Sequence, residues 1–197
     1  MIERYTLSEM GQIWTENAKF QSWLDVEIAA CQANLELGNI SRKDFNQIQS
    51  KAKFNAERIK EIEKEVKHDV IAFLTNVNEY VGESGRFIHV GMTSSDILDT
   101  GLSIQLRDSC KLFLEEIEKL EDSIKLLARN HKNTLMVGRS HAIHGEPISF
   151  GFKLAGWLAE VNRNKERITR LEKIISVGQI SGAMGTYANT NPKVEEI

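Results

Sequence analysis

The chain has 197 residues, with 25 Lys and Arg against 28 Asp and Glu, which gives a formal net charge of −3 at pH 7. This near-balance provides no concentrated basic face, so the composition gives no case for binding nucleic acid or a membrane surface. Only 2 residues are proline, whereas average usage would give about ten. A chain so poor in helix breakers is expected to be mostly helical.

The cysteines and the first residues indicate the cellular location of the protein. Cys31 and Cys110 both fall in apolar helical patterns, so they are expected to be buried free thiols and not a disulfide. The opening residues, MIERYTLSEM, lack the apolar core of a signal peptide. No run reaches the roughly 18 apolar residues of a membrane span. We therefore expect a soluble cytoplasmic protein.

The first third of the chain predicts a series of helices. Apolar residues recur at spacings of three and four over residues 10–37, which predicts one helix. Gly38 follows it, in a position suited to a left-handed cap. Ser41 is a typical cap for the next short helix. Further helices are predicted over residues 55–67 and from residue 67 to near residue 82.

A glycine-containing loop over residues 82–95 is predicted to end at the start of a long helix. Ser94 or Ser95 would cap this helix, with Asp96 in its first turn, where a carboxylate complements the helix dipole. The segment GMTSSD, residues 91–96, places three hydroxyls and backbone N–H groups at a helix N-terminus. Such an arrangement binds anions. The same residues would equally serve as an ordinary helix cap.

The second half predicts two long antiparallel helices. The first carries an apolar seam with spacings of four and three at Leu106, Cys110, Phe113, Ile117, Leu120, Ile124 and Leu127. The second is predicted over residues 146–177, with Pro147 in its first turn, and residues 134–145 form the link. Because other apolar residues lie off these seams, the helix hairpin should pack against further helices.

The last segment predicts an irregular connector. Residues 178–192 contain three glycines and a proline, and no closing element follows them, so we expect that more chain follows. The predicted fold class is all-α. It would comprise an N-terminal helical domain, residues 1–105, and the first part of a central helical-bundle domain, residues 106–197.

Four of the five histidines lie in or beside connections between helices. Histidine donates or accepts protons near neutral pH, so His68, His89, His141 and His144 favour a catalytic site, although each could also be a surface or capping residue. The fifth, His131, continues the apolar seam and is assigned to packing. The spacing of His141 and His144 is not that of a helical zinc pair, so no metal is expected. A serine-hydrolase elbow, a phosphate loop and a dinucleotide fingerprint are all missing from the sequence.

Five segments resemble the adenylosuccinate lyase family of the fumarase/aspartase superfamily. They are MIERY at 1–5, KHDVIAF at 67–73, HVGMTSSDILDT at 89–100, GRSHAIHGEPISFGFKLAGW at 138–157 and ISGAMGTYAN at 180–189. The resemblance implies a homotetramer whose central helices form one bundle, with each site built from three subunits and with no metal or organic cofactor. The implied reactions release fumarate from adenylosuccinate, giving AMP, and from the succinylated imidazole carboxamide ribotide (SAICAR), giving AICAR.

The resemblance also implies roles for residues in the matched segments. His141 would be the general acid that protonates the departing nitrogen, and His68 would assist this acid–base chemistry. Arg4 and Tyr5 would bind near the ribose phosphate, and Thr93 and Ser94 would hold a carboxylate of the succinyl group. The other implied substrate-binding residues are Lys67, Asp69 and His89.

The sequence departs from the family pattern in small substitutions and in length. Ser140 stands where the family usually has threonine, which keeps the hydroxyl, while Ala142 and Gly145 replace commoner residues. Family members are longer, and their catalytic serine loop would lie beyond Ile197. We therefore expect an N-terminal portion that cannot turn over alone. A related lyase acting on another succinyl-amine and a non-catalytic helical scaffold remain as alternatives.

Overall fold

The computed structural model describes residues 2–197, apart from the side chain of Glu3. Helices dominate this part of the chain, as the sequence predicts. They are α1 Ser8–Ile13, α2 Glu16–Glu36, α3 Arg42–Lys51, α4 Ala56–Val66, α5 Asp69–Val81, α6 Ser94–Asn130, α7 Phe150–Ile175 and α8 Lys193–Glu196. The strands are β1 Leu135–Ser140 and β2 Ile143–Ser149, and short 3-10 helices cover Glu3–Tyr5 and Gly82–Phe87.

The chain divides into two compact units, and the first has an aromatic core. This unit extends through Arg107 and includes Ser176–Ile197. The ring of Phe73 is completely buried, and its centre lies 5.9 Å from that of Phe20 on α2 and 5.5 Å from that of Trp23. Aromatic pairs of this kind add about 0.5–1.5 kcal/mol beyond their burial, so they fix α5 against α2.

The prediction of one helix over residues 10–37 is wrong, because the chain breaks between α1 and α2. Thr15 adopts an extended backbone and its hydroxyl accepts the N–H of Ala18 at 3.1 Å, which caps α2. The carbonyl of Ile13 accepts a hydrogen bond of 2.7 Å from the amide of Gln105, far along the chain. These polar groups satisfy the two helix ends that the break exposes.

The helix limits that depend on local signals agree with the sequence. Gly38 follows α2 with a positive φ of 77°, and Ser41 caps α3 by accepting the N–H of Asp44 at 3.1 Å. Asn55 caps α4 in the same manner. The helix predicted from residue 67 to near residue 82 is α5, whose first residue follows His68.

The second unit, Asp108–Ile175, contains the predicted antiparallel pair of long helices. The ammonium of Lys165 on α7 lies 2.9 Å from a carboxylate oxygen of Glu118 on α6. Near the other end, a side chain added at Gly151 would come within 2.5 Å of the carbonyl oxygen of Ala128. A late residue of α6 is thus beside an early residue of α7, as antiparallel helices require.

The predicted link over residues 134–145 is a β-hairpin that extends to Ser149, so the prediction of a helix from residue 146 is wrong. Strands β1 and β2 pair in antiparallel register, with Leu135 opposite Ser149 and Ser140 opposite Ile143. Pro147 lies in β2 opposite Val137 and not in a first helical turn. Pairing with β1 holds residues 143–149 extended, with an irregularity in register between Val137 and Arg139, and α7 begins only at Phe150.

The paired helices leave much apolar surface uncovered within this chain. Cys110, Ile124 and Leu154 are buried, whereas other apolar residues of α6 and α7 are at least 40% exposed: Phe113, Leu120, Leu126, Leu127, Phe152, Trp157, Leu171 and Ile174. This agrees with the expectation that the hairpin cannot cover its own apolar faces. In residues 2–197, every helix is too short or too polar to cross a membrane.

The last segment folds back onto the first unit, so the prediction of a connector without a closing element is wrong. Helix α8 follows the connector, and Val194 within it is buried. The carboxylate of Glu195 accepts the backbone N–H of Ile180 at 2.7 Å and the hydroxyl of Tyr187 at 2.8 Å. The structure therefore groups residues 176–197 with the first unit, although the domain boundary at residues 105 and 106 stays a prediction.

Candidate functional site

The loop before α6 holds His89 through a buried carboxylate on α2. Glu27 is only 1% exposed, and one of its oxygens accepts the backbone N–H of His89 at 2.9 Å. Its other oxygen lies 2.5 Å from Nδ1 of the His89 ring, whose side chain is 19% exposed. His89 has a positive φ of 65°, a backbone conformation uncommon for residues other than glycine. The contacts with Glu27 therefore fix both the backbone and the ring of this residue.

A tight turn carries the chain from His89 to the start of α6. The carbonyl of His89 accepts the N–H of Met92 at 3.3 Å, and Gly91 has a φ of 75°. Glycine suits the third position of such a turn because it has no Cβ to clash. A Cβ at Gly91 would also lie 2.1 Å from the carbonyl oxygen of Asn189. Residues 89–94 therefore form one constrained loop against the segment that ends the chain.

The start of α6 already holds an anion of its own, the carboxylate of Asp96. This side chain is completely buried, and it accepts backbone N–H groups from Thr93 at 2.9 Å, Ser181 at 3.2 Å and Gly182 at 3.1 Å. The helix begins at Ser94, so Thr93 occupies the cap position predicted for Ser94 or Ser95. Because the N–H of Thr93 is used internally, the hydroxyls of Thr93 and Ser94 are the better candidates for binding a ligand.

His68 lies at the junction of α4 and α5, with the other predicted residues of its segment beside it. Lys67 ends α4 in a left-handed conformation with φ 56°, and His68 caps α5. Nδ1 of His68 accepts the backbone N–H of Ile71 at 3.3 Å and lies 3.5 Å from a carboxylate oxygen of Asp69. A ring nitrogen that accepts an N–H carries no proton. With Nδ1 as the acceptor, the proton of a neutral His68 ring lies on Nε2.

Arg4 and Tyr5 are exposed at the beginning of the described chain. They lie in the 3-10 helix Glu3–Tyr5, and the guanidinium carbon of Arg4 is 4.8 Å from the centre of the Tyr5 ring. Tyr5 is 73% exposed. Both side chains are accessible to a ligand, and their substrate-binding role stays a prediction.

His141 forms the turn of the β-hairpin in the second unit. His141 and Ala142 have positive φ values of 53° and 61°, between the paired residues Ser140 and Ile143. This is the two-residue turn that matches the twist of antiparallel strands. His141 is exposed, as is the neighbouring His144 on β2. An exposed histidine on a rigid turn has a ring that a ligand can reach.

The structure thus arranges the predicted site residues in separate clusters. His89, Thr93 and Ser94 belong to one loop, and the first unit also contains Arg4, Tyr5 and the cluster at residues 67–69. His141 belongs to the second unit. Within residues 2–197 there is no group of three or more His, Cys, Asp and Glu side chains placed to hold a metal ion.

Sequence reasoning missed Glu27 and the anchoring role of Asp96. Glu27 lies one turn from Trp23 and one turn from Cys31, and both of these neighbours are buried. A charged residue at such a core position is a signal, because an unpaired carboxylate is costly to bury. The sequence does not reveal the partner, since His89 lies 62 residues further along the chain.

A lyase family model matches residues 3–197, so the chain belongs to this lyase family. Curated relatives match along the full 197 residues or nearly so. They are the adenylosuccinate lyases of Synechocystis sp., 63% identical, of Aquifex aeolicus, 48% identical, and of Bacillus subtilis, 48% identical, each aligned with 100% of this chain. The resemblance predicted from five segments is therefore confirmed. The chain spans 46% of the length of each of these relatives.

Solved structures share the fold at lower identity. A fumarate lyase from Mesorhizobium sp. is 28% identical, with a TM-score of 0.89, and the match covers 95% of this chain and 46% of that protein. A 3-carboxy-cis,cis-muconate lactonizing enzyme from Pseudomonas putida is 29% identical, with a TM-score of 0.87, over 93% of this chain and 44% of that protein. These matches confirm the predicted fold class, to which the structure adds the β-hairpin.

Proposed function

We propose that the whole protein is an adenylosuccinate lyase, which releases fumarate from adenylosuccinate to give AMP and from SAICAR to give AICAR. The observation that carries this proposal is the 48–63% identity to three adenylosuccinate lyases over the length of the chain. Fold alone would be a weaker argument, because one scaffold supports several chemistries. A related lyase acting on another succinyl-amine is the alternative that an assay must exclude.

The proposed reaction is a β-elimination that needs an acid and a base. A base removes a proton from the succinyl carbon next to a carboxylate, the carbon–nitrogen bond breaks, and an acid protonates the departing nitrogen. His141 is our candidate for the acid, because its exposed ring lies on a rigid turn and histidine transfers protons near neutral pH. The base is proposed to be a serine outside this chain, and the 197 residues alone would then be inactive.

The remaining candidates would bind the negatively charged substrate. Removing the proton creates extra charge on the succinyl carboxylate, and fixed donors aimed at that charge lower the barrier. We assign the hydroxyls of Thr93 and Ser94 to this carboxylate and Arg4 and Tyr5 to the ribose phosphate. His89, Lys67 and Asp69 would complete substrate binding, with His68 assisting proton transfer. The chemistry needs no metal or organic cofactor.

We also propose that the whole protein is a homotetramer in which the long helices form a common bundle. The support is the apolar surface that α6 and α7 leave exposed, because isolated proteins rarely leave so many large apolar side chains in water. Sites assembled from three subunits would bring His141 of one subunit to substrate-binding residues of others. The free thiols of Cys31 and Cys110 suit a reducing compartment, and we propose the cytoplasm.

A direct assay with matched variants tests the proposed function. The whole protein should convert adenylosuccinate to AMP and fumarate, followed by absorbance. His141→Gln should lower kcat by about 100- to 10,000-fold, the usual contribution of a general acid. His131→Gln, the same substitution in the same unit, should stay near the wild-type rate. Release of fumarate from another succinyl-amine only would favour the alternative lyase, and no release from any would support a scaffold.

A further inference from the structure

Glu27 and His89 form a buried pair that is joined by two short contacts. Glu27 lies in the core of the first unit, where a charged group is tolerated only when its oxygens are bound. One oxygen accepts the backbone N–H of His89, a group that can only donate. When Glu27 is ionised, its second oxygen can only accept, so the facing Nδ1 of His89, 2.5 Å away, is then the donor. Nε2 is then the ring nitrogen left for a ligand.

The two histidines of the first unit that are assigned to the site are held in opposite ways. Nδ1 of His68 accepts a backbone N–H, so His68 presents an N–H at Nε2. Nδ1 of His89 donates to Glu27, so a neutral His89 presents a lone pair at Nε2. A histidine held by a carboxylate keeps one tautomer and one ring orientation. The two rings differ because Nδ1 faces a backbone N–H in His68 and the carboxylate of Glu27 in His89.

We propose that Glu27 is a positioning residue that holds the proton of His89 on Nδ1 and presents Nε2 to the substrate. This inference rests on the proposed function only in taking His89 to contact substrate. The positive φ of His89 supports it, because the same carboxylate also holds the backbone in this uncommon conformation. A purely structural tether would be satisfied by the backbone bond alone, whereas a positioning residue must also control the ring.

Glu27→Gln separates these roles, because it changes the ring contact while preserving volume. The amide oxygen of glutamine must face the backbone N–H of His89, since an amide NH₂ there would oppose another donor. The NH₂ group then faces Nδ1 and donates to it, which moves the proton of His89 to Nε2. Glu27→Asp keeps a carboxylate with a shorter reach. Asp25→Asn is the matched control, because Asp25 is exposed on the same helix and is bonded to Gln21.

Two measurements on the whole protein test the proposal. Neutron diffraction should show a deuteron on Nδ1 of His89 in the wild type and in Glu27→Asp, and none there in Glu27→Gln. Loss of the hydrogen-bond partner that orients a metal-bound histidine typically costs about 10- to 100-fold, and we take the same scale for His89. We expect kcat/KM of Glu27→Gln to fall by about this factor, mainly through a higher KM. Asp25→Asn should keep both the deuteron and kcat/KM, and Glu27→Asp should exceed Glu27→Gln in kcat/KM.

Each outcome bears on a separate claim. An unprotonated Nδ1 in the wild type overturns the proposal, and so does a folded Glu27→Gln protein with kcat/KM within about twofold of wild type. If Glu27→Gln does not fold, the proposal is tested by the presence of a deuteron on Nδ1 of His89 in the wild type and by the kcat/KM of Glu27→Asp. A wild-type protein inactive on adenylosuccinate contradicts the proposed function, whereas the deuteron still tests the hold of Glu27 on His89.

Discussion

Replacing Asp96 with asparagine should release the chain's last segment from the start of α6. One oxygen of the Asp96 carboxylate accepts the N–H groups of Thr93 and Gly182, and the other accepts that of Ser181. Asparagine has the same shape but only one acceptor oxygen. If this oxygen keeps the first two bonds, the NH₂ group faces the N–H of Ser181, and two donors oppose each other.

The size of the effect follows from these three bonds. A hydrogen bond to a charged group contributes about 1.5–3 kcal/mol, and a buried donor left unpaired costs about 1–3 kcal/mol. Losing the bond to Ser181 and weakening the other two should therefore cost about 3 kcal/mol. Because each 1.4 kcal/mol is about tenfold in an equilibrium constant, the opening equilibrium of this segment should rise by roughly 150-fold.

Amide hydrogen exchange of the whole protein, read by mass spectrometry, measures this opening. Peptides covering residues 178–189 should exchange about 150-fold faster in Asp96→Asn than in the wild type, since exchange reports local opening. Asp99→Asn is the matched control, because Asp99 is an exposed residue on the same helix. Equal exchange of this segment in Asp96→Asn and Asp99→Asn would refute the reasoning.

Three further predictions test the packing, a helix cap and a buried thiol. Gly151→Ala should lower the free energy of unfolding in urea by at least about 1–3 kcal/mol, because the added Cβ would lie 2.5 Å from the carbonyl oxygen of Ala128. Gly156→Ala is the control and should leave this free energy unchanged, because a Cβ at Gly156 has no atom within 4 Å. Thr15→Ala should cost about 1 kcal/mol in the same assay, because α2 loses its cap. Burial, with a smaller effect of Glu27, raises the pKa of Cys31 to about 12. The folded protein therefore keeps this proton after the unfolded chain has lost it. Stability should fall by about 1.4 kcal/mol per pH unit between about pH 9 and about pH 12, a slope that Cys31→Ser should lack.

Local signals were sufficient for most helix limits. Gly38 and Ser41 act on backbone groups within a few residues, so their effect is readable from the neighbouring sequence. The break at Thr15 was missed because the carbonyl of Ile13 is satisfied by Gln105, which lies 92 residues away. An apolar period alone cannot reveal a distant side chain that stabilises a helix end.

The β-hairpin was missed for a different reason. Its strands have six and seven residues, and its turn residues, His141 and Ala142, are not the Asn-Gly or Asp-Gly pair that marks such turns. Pro147 also suited a first helical turn in the sequence. The pairing of β1 with β2 outweighs this preference, and His141, the candidate general acid, consequently lies in the turn of a β-hairpin.

The candidate site was predictable in its loops but not in the carboxylates that hold them. His89 and Thr93 were identified from their segment, whereas His89 lies 62 residues from Glu27, and Ser181 and Gly182 lie 85 and 86 residues from Asp96. Glu27 binds the His89 end of the loop, and Asp96 binds the Thr93 end. Both carboxylates are buried; Glu27 accepts the backbone N–H of His89 and Asp96 accepts that of Thr93, so each fixes one end of the loop.

Because Glu27 and Asp96 hold opposite ends of the loop, they can be replaced singly and together, which tests whether the two ends are coupled. If the loop between them were flexible, Glu27→Gln and Asp96→Asn should affect substrate binding additively, since residues without shared partners usually contribute independently. The turn at Gly91 argues against flexibility, because the carbonyl of His89 is bonded to Met92 and the backbone of Gly91 lies close against Asn189. We therefore expect the double variant to lose less than the sum of the single losses in the free energy of substrate binding, because one displaced end already misplaces the other.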